Sequence, residues 1–172
     1  NDSMFKKELE ETNCCKIFVL GISNTYKSIY NPFKIFEIAK IIKDYQIIHV
    51  HLFPAQYYVL FANFLNKKKS KLVFTEHNTH NKRMSLEILR GVDKIIYKGY
   101  EKVIAITNDV NIVLQNYLKK PYGKIVTIEN GVNLSKVNEA IATNKMEILA
   151  HLKDNDKLII QIGGFRIQKD QD

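Results

Sequence analysis

The chain has 172 residues, with 26 Lys and Arg against 18 Asp and Glu, a net charge of +8, and is 45% hydrophobic. This is the balance of an ordinary globular domain. It is too apolar for a disordered tail, and 7 Gly with 3 Pro exclude a collagen-like or low-complexity chain. The length fits one domain of usual size, or one domain with part of another.

Short β-branched runs alternate with longer amphipathic segments. Lys16–Leu20 (KIFVL) reads as a buried strand. Pro32–Lys43 reads as a helix, with Phe33, Phe36, Ile38, Ile41 and Ile42 near helical spacing, Pro32 in the first turn and Asn31 as N-cap. Gln46–His51 is the next strand, Pro54–Asn66 a mostly buried helix, and Lys71–Thr75 a third strand. Lys82–Tyr100 is helical, with Gly91 as a point of interruption. Lys102–Ile106 is a strand, Thr107 caps a helix running to Leu118, and Lys124–Ile128 is a strand ending in the turn Asn130-Gly131. Leu134–Leu152 reads as one helix, and Lys157–Ile162 as a last strand entering Gly163-Gly164. Strands without polar alternation, separated by helices, predict a parallel sheet covered on both faces. The expectation is an α/β, three-layer, Rossmann-like domain over 1–143, with 144–172 as linker and first strand of a second such domain.

No segment is long and clean enough to cross a bilayer. The best, Ile47–Leu65, contains His49, His51, Pro54 and Gln56. The opening residues lack the apolar core of a secretory signal. The cysteines are the neighbours Cys14 and Cys15, which can form only a strained bridge, and this points to a reducing, cytoplasmic compartment. The positive charge suits anionic partners (nucleotide, phosphate, nucleic acid or a membrane surface) or simply a solvated face. Lys67-Lys68-Lys69 with Lys71 follow an apolar helix rich in Phe. They fit a helix C-terminus with a solvated loop, or a peripheral contact with anionic lipid head groups.

In open α/β sheets ligands lie beyond the carboxyl ends of the strands. There the sequence places His49-Val50-His51 and, after the next strand, His77-Asn78-Thr79-His80. Residues i and i+2 of a strand share a face, so His49 and His51 point one way. These histidines either bind a metal, for which Glu76 is the one nearby carboxylate, or hydrogen-bond a sugar or phosphate. His49, deeper in the strand, reads as a satisfied core residue, and His80 as solvent-facing. His51 and His77 stand nearest the crevice. G-x-G-x-x-G, G-x-x-x-x-G-K-[ST] and G-x-S-x-G motifs are all absent.

Five motifs in order resemble the family 4 glycosyltransferases, whose GT-B fold has two facing Rossmann-like domains. They are Ile48-His49-Val50-His51, Thr75-Glu76-His77, Val103–Thr107, Ile128-Glu129-Asn130-Gly131-Val132, and the run from Ile160 to Asp170, IQIGGFRIQKD. The resemblance implies transfer of a sugar from a nucleotide-sugar donor, with retention at the anomeric carbon, to a glycan or lipid-linked acceptor, as in surface polysaccharide synthesis. It implies no cofactor, no metal and no nucleic-acid partner. By the same resemblance His77 is the catalytic-cleft histidine beside the donor sugar, and Lys169 neutralises the donor diphosphate, with Gly163, Gly164 and Arg166 around it. His51, Asn78 and Thr107 fall in the cleft on the acceptor side. The family pattern has an Arg where this chain has Gly164; Arg166 stands two residues on. The family's first strand with its Gly-rich loop is expected before Asn1, and its paired Glu after Asp172. The expectation is therefore the central part of a larger enzyme, inactive alone. The rival readings are a zinc hydrolase using the His cluster and a non-enzymatic anion-binding module.

Overall fold

The structure, a computed structural model, describes residues 4–20, 30–79, 84, 86–119, 123–141, 144, 147, 153 and 155–157. Chain order is α1 (Met4–Glu11), α2 (Lys34–Ile42), β1 (Ile47–His51), α3 (Ala55–Leu65), β2 (Lys71–Glu76), α4 (Glu87–Lys98), β3 (Lys102–Ala105), α5 (Asn108–Leu118), β4 (Ile125–Thr127) and α6 (Leu134–Asn138). The four strands form one parallel sheet in the order β1-β2-β3-β4. This is the α/β, Rossmann-like fold expected from the alternating pattern. The chain divides into two compact units, Asn1–Asn130 and Gly131–Asp172.

Each strand in this order lies beside the previous one, so right-handed crossovers put every connecting helix on the same face. Accordingly α2 packs on α3, α3 on α4 and α4 on α5. That helical layer closes over Val50, Leu72, Phe74, Val103, Ala105 and Ile125, and buries Ile38, Ile42, Leu60, Ile96, Leu114 and Leu118 against them. Two carboxylates sit inside this layer, each held by tyrosine. Asp93, fully buried, accepts from the hydroxyls of Tyr57 and Tyr117. Glu76 accepts from Tyr97 Oη at 2.9 Å.

Several local expectations need correction. Lys16–Leu20 is not a strand: it pairs with no neighbour among the described residues, and Phe18 and Val19 are exposed. A β-branched run becomes a strand only where a partner meets its N–H and C=O groups. The helix before β1 begins two residues later than predicted, with Phe33 rather than Asn31 at the N-cap. Asn31 Oδ1 instead accepts from the Phe33 N–H at 3.0 Å in the preceding turn. Gly91 does not interrupt α4, which runs unbroken from Glu87. Helical backbone at one Gly costs about 1 kcal/mol, and the buried Asp93, Ile96 and Tyr97 just beyond it anchor the helix. Asn130-Gly131 lies in irregular chain rather than a defined turn. The long helix predicted from Leu134 ends at Asn138, and Leu134, Val137 and Ile141 are exposed. With no apolar face buried among the described residues at its start, helix propensity alone does not carry the helix past Asn138. The predicted strand beyond Lys157 and the Gly163-Gly164 turn lie outside the described residues.

Candidate functional site at the strand ends

β1 and β2 are paired with Ile48 opposite Leu72, Val50 opposite Phe74 and His51 opposite Thr75. The two-residue period of a strand then assigns the faces. Ile48, Val50, Leu72, Phe74 and Glu76 point to the helical layer; Ile47, His49, His51, Val73, Thr75 and His77 belong to the other. On that second face β1 carries no apolar cover among the described residues: Ile47 is 64% exposed, and His49 and His51 are exposed as well. His49 is thus not a core residue as the sequence suggested. It is satisfied, however, because its Nε2 lies 2.7 Å from Thr75 Oγ1.

His51 and His77 meet across the strands, with His51 Nδ1 and His77 Nε2 3.0 Å apart. The ring centroids of His49 and His51 are 4.2 Å apart and those of His51 and His77 5.3 Å. Both cross-strand bonds step two residues towards the carboxyl end of β2, so they form a diagonal ladder, His49–Thr75 then His51–His77, leading to the sheet edge. A hydrogen bond between two imidazoles needs one N–H donor and one lone pair, so at least one ring is neutral there. The pKa of His51 is lowered from 6.5, first by partial burial and then by the charges of His49 and His77.

Position 77 is set from behind by Glu76. That side chain is buried on the helical face, where Oε2 takes the Tyr97 hydroxyl and Oε1 accepts the Asn78 N–H at 3.3 Å. The chain is clamped on both sides of His77 as it leaves the strand. Asn78 itself is exposed. Thr107 follows β3 at the same carboxyl edge, and its Oγ1 accepts the Val110 N–H at 3.2 Å, capping α5 as the sequence predicted. The structure therefore brings His49, His51 and His77 together, with Asn78 and Thr107 on the same edge. His80, Gly163, Gly164, Arg166 and Lys169 lie outside the described residues. Sequence reasoning missed Thr75 as the partner of His49 and Tyr97 as the brace of Glu76. The alternation Thr75-Glu76-His77 signals the first, but nothing in the sequence pairs Glu76 with a tyrosine 21 residues away.

Among the described residues no three His, Cys, Asp or Glu side chains converge as a metal site requires. Nor is any helix among them long and apolar enough to cross a membrane.

A family model described as Glycosyltransferase Family 4 matches residues 5–136, most of the chain. The chain belongs to glycosyltransferase family 4. A crystal structure of a glycosyltransferase from Rickettsia africae ESF-5 is similar, with TM-score 0.61 and 27% identity, covering 88% of this chain. The chain spans 40% of that protein's length. No curated protein matches it. The family match takes in the ladder from His49 to His77, the clamp on His77 and the Thr107 cap, so the strand-end geometry lies within the matched part of the chain.

Proposed function

We propose that the protein is the acceptor-side part of a retaining glycosyltransferase, which moves a hexosyl group from a nucleotide-sugar to a glycan or lipid-linked acceptor in surface polysaccharide synthesis. The observation that carries this is His77, half-buried at the carboxyl edge of the sheet, hydrogen-bonded to His51 and clamped through Glu76. With Nε2 directed to His51, Nδ1 is the ring nitrogen left for a sugar hydroxyl. In this reading His77 orients the donor sugar and is not the base. As the glycosidic bond breaks, negative charge gathers on the departing diphosphate and positive charge on the ring. A cation fixed at the phosphates favours that separation, strongly so where water is excluded. Lys169 takes that role in the proposal, with Arg166, Gly163 and Gly164 beside it, in 144–172, the linker and first strand of a donor-side domain. His51, Asn78 and Thr107 face the acceptor. No cofactor takes part, and the enzyme works in the cytoplasm, peripherally at the inner face of the membrane.

The test is a panel of nucleotide-sugars offered to the full-length enzyme and to the 172-residue chain, with product anomers assigned by NMR. The proposal expects transfer with retention by the full-length enzyme and none by the 172-residue chain. Inversion, or no turnover of any nucleotide-sugar by the full-length enzyme, would contradict it.

A further inference from the structure

A surface helix normally turns a polar face to water. α3 does not: its sequence, AQYYVLFANFL, contains no charged residue, and its outward positions are Phe61, Phe64 and Leu65, the last two 63% and 56% exposed. Beside it α2 presents Phe36, and the turn before it Phe33, 71% exposed. Two adjoining grooves lie on this face, and they share Pro32, Ile35 and Phe61. The apolar patch is therefore continuous from the start of α2 to the end of α3.

The segment that carries it is rich in lysine. Residues 31–71 hold seven Lys (34, 40, 43, 67, 68, 69 and 71) against Glu37 and Asp44. The surplus is five positive charges in 41 residues, more than half of the whole chain's +8. Lys69 is spoken for: its Nζ donates to the carbonyls of Asn63, Phe64 and Asn66 and closes the end of α3. Lys67 and Lys68 are exposed immediately beyond Leu65.

We propose that this α2–α3 face docks on an anionic lipid bilayer, with the phenylalanines entering the head-group boundary and Lys67 and Lys68 meeting lipid phosphates. Charge complementarity selects this occupant. A second copy of the chain would bring the same lysines face to face, whereas an anionic bilayer supplies the opposite sign together with an apolar interior. At 11 residues, about 16 Å of helix, α3 lies along the boundary and cannot span the roughly 30 Å hydrocarbon core. The inference rests on the peripheral location proposed above. Binding is read without donor or acceptor, so its failure leaves the sugar-transfer reading untouched.

The experiment is co-sedimentation of the 172-residue chain with phosphatidylcholine vesicles, with and without phosphatidylglycerol, over a salt series. Binding should require phosphatidylglycerol and weaken with salt. Lys67→Glu with Lys68→Glu should reduce it roughly fivefold or more per lysine, and Phe61→Ser with Phe64→Ser by about tenfold or more, with unchanged circular dichroism. Lys153→Glu with Lys157→Glu, the same charge change on exposed residues of the other unit, should lower it far less. Absence of binding to phosphatidylglycerol vesicles overturns the proposal, as does an equal loss in the Lys153/Lys157 control. So does a Phe61/Phe64 variant that binds vesicles normally but changes from dimer to monomer by light scattering, which would assign the face to a second copy.

Discussion

Gly99 shows how tightly the helical layer behind the strand ends is built. It closes α4 with φ −69° and ψ −13°, ordinary right-handed backbone that alanine adopts freely, and its N–H bonds the carbonyls of Ile95 and Ile96. On backbone grounds alone Gly99→Ala should stabilise by about 0.4–1 kcal/mol. Packing reverses the sign. A Cβ there would overlap Leu60 Cδ1, stand 2.9 Å from Cδ2 and only 3.2 Å from Cγ. Leu60 is 3% exposed, so its fork has no open space to move into. Overpacking of this kind costs about 1–3 kcal/mol, leaving a net loss of about 1–2 kcal/mol and a midpoint several degrees lower. Urea unfolding of the 172-residue chain measures it. Combining Gly99→Ala with Leu60→Ala should then cost at least about 1 kcal/mol less than the two single losses added together. A Gly99→Ala protein as stable as the parent, or strictly additive losses, would refute the reasoning.

Three further outcomes are expected. Thr107→Ala removes the α5 cap and should cost about 1 kcal/mol by denaturant unfolding, while Thr107→Ser keeps most of it. Gln56 is 1% exposed with both side-chain amide atoms unpartnered among the described residues, so Gln56→Met should raise stability by about 1 kcal/mol in the same assay. The lowered pKa of His51 means that the unfolded chain takes up this proton at a higher pH than the folded one. Its contribution to stability is therefore whole above pH 6.5 and is lost as pH falls through the folded value. His51→Gln should flatten the acid side of the stability profile, and an unchanged slope would contradict the assignment.

Much of this was legible in the sequence where local signals and the fold agreed. IIHVH and KLVFTE, as β-branched runs between helices, mark parallel strands. Two-residue periodicity puts His49, His51 and His77 on a common face once the strands pair in register. Thr107 before an apolar-periodic segment is a cap that needs no tertiary help. What the sequence hid depends on distant partners. Lys16–Leu20 has strand composition but, among the described residues, no neighbour to complete it. The 134–152 segment has helical spacing but no buried face under Leu134 and Val137. His49 looked internal because a parallel strand reads as buried on both sides, and only the sheet order shows the helices gathering over the opposite face. The Tyr97–Glu76 clamp spans two elements, and no spacing rule links them.

The proposal that His77 orients a donor sugar is tested most directly by steady-state kinetics of the proposed full-length enzyme with a nucleotide-sugar, comparing the parent with His77→Ala. Losing a hydrogen bond that orients the donor predicts a fall in kcat of at least about tenfold, with native circular dichroism retained. An His77→Ala enzyme that folds and turns over the donor at the parental rate would contradict the account.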